Sequence, residues 1–184
     1  MAFRLSYWLF LISSAAAAAT GPYVRVEFEL GSLSNANGLL QSGSKCSILG
    51  KSCSQKLTGY IDTNPSARGW PGSKPVDSWP QIISDKDNNI AIKKVISGDF
   101  CSGAYKEGIL RIHVVDTGMK DRLIEDFECR SGITVANSES RASWSPEQTC
   151  EAKYNGKNNR LTFRVRAYAV PLDSCGLPPS RPKG

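Results

Sequence analysis

Between residues 24 and 30 the chain alternates strictly: Val24, Val26, Phe28 and Leu30 fall on one side, Arg25, Glu27 and Glu29 on the other. A period of two marks an extended strand with one face on a core and the other in water. It excludes a helix there, because a helix repeats every 3.6 residues. The same short alternation returns along the chain between turn residues. Residues 57–61 read as a strand, as do 82–83 and 90–96, which flank the polar turn Asp85-Lys86-Asp87-Asn88-Asn89. Residues 109–115 form the clearest later strand, and residues 161–170 alternate again. A loop rich in Gly, Pro and Trp occupies residues 64–80. The best helical candidate is short, residues 120–127, where Leu123, Ile124 and Phe127 share a helical face. There is no internal repeat. Many short strands separated by turns predict an all-β, antiparallel sandwich.

The N-terminus sets the compartment. Residues 1–19 carry one positive charge at Arg4, an apolar stretch at residues 8–12 and a run of small residues ending at Ala19. That is the layout of a secretory signal peptide, and its apolar core is too short for a spanning helix. Cleavage leaves about 165 residues, enough for one domain with a real core. All six cysteines, Cys46, Cys53, Cys101, Cys129, Cys150 and Cys175, follow the leader. With no C-x-x-C and a single histidine, they fit an oxidised, extracellular set better than a zinc site. Six cysteines allow about 15 pairings, and the sequence does not choose among them.

Removing a leader that bears one positive charge lowers the net charge from +6 to +5. In a secreted chain this points to anionic partners such as a membrane surface or a glycan. The basic residues are scattered, and Arg164 and Arg166 alternate with Phe163 and Val165 as the wet face of a strand. Nucleic acid is therefore not an expected partner. Catalytic patterns are poor as well. His113 is the only histidine and lies within an apolar strand, on the face of Arg111 and Val115. No phosphate loop, nucleophile elbow or paired-carboxylate motif is present. The acidic turn at residues 85–89 lacks the glycine and the bidentate glutamate of an EF-hand, since Ile90 and Ile96 stand in those places. The chain reads as non-enzymatic.

The order of residues after the opening strand is more specific. Phe28-Glu29-Leu30, then Leu33-Ser34-Asn35-Ala36-Asn37-Gly38-Leu39-Leu40-Gln41-Ser42-Gly43 and Cys46, resembles the start of the N-terminal domain of Notch ligands of the Delta/Serrate/Jagged family. Gly108-Ile109-Leu110-Arg111-Ile112-His113-Val114-Val115-Asp116 is similar to that domain's later core strand. Residues 121–125, Ser131-Gly132-Ile133, Trp144 and Phe163-Arg164-Val165-Arg166 follow in the family's order. The likeness covers about residues 24–168. It is thinnest between Cys53 and Phe100.

The resemblance implies a C2-like antiparallel β-sandwich, here stabilised by disulfides, over residues 20–170. A Pro-rich basic tail, residues 171–184, stands where the family continues into a cysteine-rich module and EGF repeats. It implies a receptor-binding role toward Notch-type EGF repeats, through loops at one end of the sandwich. Those loops also take calcium or phospholipid in some family members. By position, Asn35, Asn37, Asp116 and Asp121 belong to that end, with Asp116 and Asp121 as candidate calcium ligands and Lys120 adding a positive charge beside them. Asn and Asp favour turns for reasons of their own. Trp70 and Trp79, in the Gly/Pro-rich loop, are candidate exposed anchors or lids over a core edge. Trp144 is expected in the core or against a disulfide. The reading is a secreted recognition domain that modulates Notch-type signalling. The alternative is a lectin-like or phospholipid-binding sandwich unrelated to Notch.

Overall fold

A computed structural model of the chain describes residues 23–47, 52–64, 66–67, 69–101, 105–118, 120–132 and 134–177. The predicted leader, Met119, Ile133 and residues 178–184 of the tail lie outside them. Two antiparallel sheets face each other. The first has β1 (Tyr23–Asn35), β4 (Asn89–Phe100), β7 (Gln148–Thr149) and β9 (Asn159–Val170), in the order β4-β1-β9-β7. The second has β2 (Gln55–Asp62), β3 (Gln81–Asp85), β5 (Ile109–Asp116), β6 (Arg122–Arg130) and β8 (Glu151–Ala152), in the order β3-β2-β5-β6-β8. The expected all-β sandwich is the observed fold.

The opening alternation becomes the inner face of β1. Val24, Val26, Phe28 and Leu30 are buried against Leu110, Ile112 and Val114 of the facing sheet's β5 within one core. Phe28 packs on Phe163 of β9 with ring centroids 5.7 Å apart. Pleated strands buried on one side stabilise the sandwich through this apolar area, at about 25 cal/mol per Å² removed from water.

The outer face of β1 differs from expectation. Arg25 and Glu27 are buried, at 6% and 3% exposure. Arg25 forms a two-pronged pair with Asp99 of β4, both contacts 2.7 Å, and Gly176 donates to the same carboxylate at 2.6 Å. Residues 171–177 thus fold back over the sheet, anchored by the Cys101–Cys175 disulfide. Glu27 accepts from Arg166 Nε at 2.6 Å and from the Tyr168 hydroxyl at 3.1 Å. Burial, and then the Glu27 charge, push the Tyr168 phenol up to about 12. Trp144 is half-buried on this outer face rather than in the core, beneath Arg166 at 4.8 Å and Arg164 at 5.9 Å.

The predicted helix at residues 120–127 is strand β6. Its register slips opposite Val114 and Val115, so that Glu125 and Leu123 face them and one extra residue intervenes. That bulge gives Leu123, Ile124 and Phe127 a helix-like spacing, and a segment of this length has no helical nucleus of its own. In β4 the alternation also breaks: Ile90 and Ile92 are buried, Lys93 sits at φ 50°, and Val95 beyond it is exposed.

The three disulfides are Cys46–Cys53, Cys101–Cys175 and Cys129–Cys150. Cys150 lies between β7 and β8, where the chain crosses from the first sheet to the second, and its bond to Cys129 of β6 holds that crossing in place. No cysteine is free. Thiol titration of the denatured, unreduced protein is therefore expected to find no reactive thiol. Two free thiols per chain would contradict the pairing.

Candidate functional site

Antiparallel pairing carries the described residues of four connections to one end of the sandwich: 36–47 with 52–54, 86–88, 117–118 with 120–121, and 153–158. They are locked to one another by hydrogen bonds. Asn35 N–H donates to the Asn88 carbonyl at 2.7 Å, and Asn88 Oδ1 accepts the Cys53 N–H at 2.9 Å. Thr117 N–H donates to the Ser54 carbonyl at 2.8 Å, and Gln41 N–H to that of Leu123 at 2.9 Å. Asn37 Nδ2 reaches Asn158 Oδ1 at 2.9 Å. Gly38 fits here because it holds φ at 58°, and a Cβ would lie 3.1 Å from the Asn88 amide.

The predicted loop residues divide into two kinds. Asn35 is fully buried at the end of β1, and its carboxamide brackets Leu39, accepting its N–H and donating to its carbonyl, both at 3.0 Å. It shapes the loop and does not face a partner. Asn37 is exposed. Asp116 is buried at 2% exposure, where it accepts the Ser54 N–H at 2.8 Å and pairs with Arg122 at 2.5 Å. Asp121 is exposed and pairs with Lys56 at 2.5 Å.

Calcium does not fit this pair. A hard cation wants six or more oxygens with net negative charge, and each carboxylate already faces its own cation. Among the described residues, the group of three acidic or sulfur side chains close enough to share an ion is Asp99, Cys101 and Cys175. Two of its members are the sulfurs of a disulfide, so it offers no thiolates.

Beside this end, on the outer face of the second sheet, lies a groove of about 510 Å³ lined by Lys56, Thr58, Trp79, His113, Val115 and Asp121, among others. The structure thus brings two predicted residues, Trp79 and Asp121, to one surface. Residues missed as site candidates join them. His113 Nδ1 lies 2.6 Å from Asp126 Oδ1, which orients the ring, and Thr58 pairs in register with His113. Thr58 Oγ1 is buried with no hydrogen-bond partner among the described residues. The signal that could have found this set was the outward register of β2 and β5, which needs the strand pairing. The arrangement offers hydrogen-bond donors and acceptors between apolar walls.

Trp79 is not an exposed anchor: it is 4% exposed and closes the groove's floor. Its ring lies 5.0 Å from Tyr60 and 5.2 Å from Trp70 (half-buried). Together they pin the described residues of the loop at 64–80 over a fully buried guanidinium. Arg111 contacts Glu128, meets Asp62 Oδ2 at 3.3 Å and donates to the Ala67 carbonyl at 2.9 Å. Gly72 is required there: at φ 91°, a Cβ would fall 2.5 Å from both Arg111 Nε and the Tyr60 hydroxyl.

No family model and no curated protein matches the sequence. The fold does have relatives. The chain is similar to a C2 domain protein from Ramazzottius varieornatus, with TM-score 0.75 and 25% identity over 86% of this chain and 95% of that one. It is also similar to human GIVD cytosolic phospholipase A2, with TM-score 0.51 and 9% identity over 81% of this chain and 17% of that one. Drosophila C2-DSL-EGF1 gives TM-score 0.49 and 13% identity over 80% and 68%. The architecture is a C2-like β-sandwich.

Proposed function

We propose that the protein is an extracellular, non-catalytic recognition domain of the Notch-ligand type, which binds Notch-type receptor EGF repeats through the loop end and its adjoining groove. The observation that carries this reading is the mutual locking of the four connections. A surface fixed before binding loses little conformational entropy on association. Three disulfides suit an oxidising, extracellular setting. The opening run that resembles the family supplies both the central strand β1 and the exposed Asn37 turn.

The test is binding of the purified protein to recombinant Notch EGF repeats by interferometry. The expected dissociation constant is on the order of ten micromolar, weakened about tenfold by the paired change Asn37→Ala and Asp121→Lys. Absence of binding at about 100 micromolar would remove the receptor reading and leave the fold untouched.

A second reading has its own observation: each of the four connections carries at least one exposed lysine, namely Lys45, Lys86, Lys120, and Lys153 with Lys157. Such a set favours an anionic phospholipid surface. Sedimentation with phosphatidylserine vesicles, lost at high salt, in a protein that ignores EGF repeats, would select it.

A further inference from the structure

A second concavity lies away from the loop end, on the edge of β9. The connection between β6 and β7 runs along this edge as a surrogate strand. Ser145 N–H donates to the Val165 carbonyl at 2.9 Å, and Ser145 Oγ accepts the Val165 N–H at 3.1 Å. Further along, Ala136 N–H donates to the Ala167 carbonyl at 2.9 Å, and Ala169 N–H to the Ala136 carbonyl at 2.8 Å. Residues 165, 167 and 169 therefore turn their backbone groups away from β1, as alternation requires. Between the two anchor points one donor of this run is left over. Ala167 N–H has no acceptor among the described residues.

That gap is a cavity of about 390 Å³. Small side chains at Gly132, Ala136, Ala142 and Ala167 keep it open. Its polar lining residues are Ser131, Thr134, Ser143, Ser145, Gln148, Arg141 and Arg166, with no Asp or Glu among them. Arg166 is neutralised by Glu27 at 2.6 Å and Glu139 at 3.1 Å. Arg141 is exposed and makes no ion pair among the described residues.

We infer that this cavity binds a sulfate or phosphate monoester, held by the free Arg141 guanidinium, the Ala167 N–H and the Thr134 and Ser143 hydroxyls. An oxyanion with several acceptor oxygens matches a fixed backbone donor flanked by hydroxyls and one uncompensated guanidinium. No Asp or Glu lines the cavity, and the nearby Glu27 and Glu139 are compensated by Arg166, which limits the repulsion that would otherwise oppose it. The site is independent of the receptor reading, because it shares no residue with the loop end or the groove.

The test is a titration of the whole, disulfide-intact protein with sodium sulfate, inorganic phosphate, a sulfated disaccharide and a sugar phosphate at constant ionic strength, followed by amide NMR. Saturable shifts centred on Ala167 and Ser143 are expected, with millimolar dissociation constants for the inorganic ions. The carrier whose ester binds tighter than its parent ion identifies the source. Arg141→Ala is expected to weaken binding about tenfold or more, whereas Arg160→Ala, on the same strand outside the cavity, leaves it unchanged. Ala142→Leu fills the cavity without altering charge and is expected to abolish the shifts. Shifts that stay linear to about 100 mM, spread over the basic surface, or persist in both cavity variants overturn the proposal.

Discussion

Arg111→Met is expected to destabilise the domain by about 3 kcal/mol, read from urea denaturation followed by tryptophan fluorescence. The guanidinium is fully buried, and so is its partner Asp62. Glu128, its other partner, keeps an ion pair with Arg130 at 2.8 Å. Removing the cation leaves a buried carboxylate without its counter-charge, which costs more than the pair contributes net. The loss stays at the lower end of the usual range because Asp62 retains four other donors. Ser73 gives it Oγ at 2.8 Å and N–H at 3.0 Å, Asn64 its N–H at 3.1 Å and Tyr60 its hydroxyl at 3.1 Å.

Those donors also fix the pH dependence. Burial alone would raise the Asp62 carboxyl, but the bonds from Ser73, Asn64 and Tyr60 outweigh it and hold the group below its ordinary value. A carboxyl depressed in the folded state stabilises the protein above its unfolded pKa of about 4, and this share is lost as pH falls through the folded value. The acid-sensitive component should shrink in Arg111→Met, because protonation of Asp62 then relieves the charge left without its partner, and vanish in Asp62→Asn. A change below about 1 kcal/mol in Arg111→Met would show that water replaces the guanidinium and that the loop of residues 64–80 is not held by it.

The strands that were legible in the sequence are those whose inner faces meet the core: residues 24–30, 109–115 and 161–170 lie within the central strands β1, β5 and β9. Their patterning tells which face is apolar. It does not tell whether the polar face stays wet, because that depends on what returns over it from far along the chain. Arg25 and Glu27 are covered by residues 171–177 and by Tyr168, some 140 positions away, and no local pattern encodes that. The bulge in β6 imitates a helical period for the same reason: register belongs to the pair of strands and not to either one. The candidate site divides alike. Asn37 and Asp121 were legible as loop residues, whereas the Arg122 partner that turns Asp116 from a ligand into a structural group lies across a turn whose geometry sequence does not give. The His113–Asp126 contact also required the β5–β6 register.

Glu125→Ala is expected to cost about 4 kcal/mol, a large share of a domain's usual 5–15, and to loosen one side of the loop end. The carboxylate is fully buried and makes no ion pair among the described residues. Its charge is instead held by four donors: Asp126 N–H at 3.1 Å and Tyr154 N–H at 2.9 Å on Oε1, Asn155 N–H at 2.7 Å and Asn159 Nδ2 at 3.1 Å on Oε2. The Asp126 N–H and the Asn159 amide are buried and lose roughly 1–3 kcal/mol apiece without the acceptor, whereas the part-buried Tyr154 and Asn155 N–H groups lose less because water reaches them. Glu125→Gln keeps the shape but turns an NH2 group toward N–H donors, so it should recover only part of the loss. The effect has a position as well as a size. The turn at residues 153–158 carries Asn158, whose side chain holds the exposed Asn37 at 2.9 Å, so opening the turn frees Asn37. Hydrogen exchange in Glu125→Ala should therefore quicken at Tyr154 and Asn155 while β5 keeps its protection, and affinity at the loop end should fall with it. If those two amides stay protected and stability falls by less than about 1 kcal/mol, the turn is held by its own bonds from Asn158 and Asn159 to the Asn155 carbonyl, and the buried carboxylate is not its anchor.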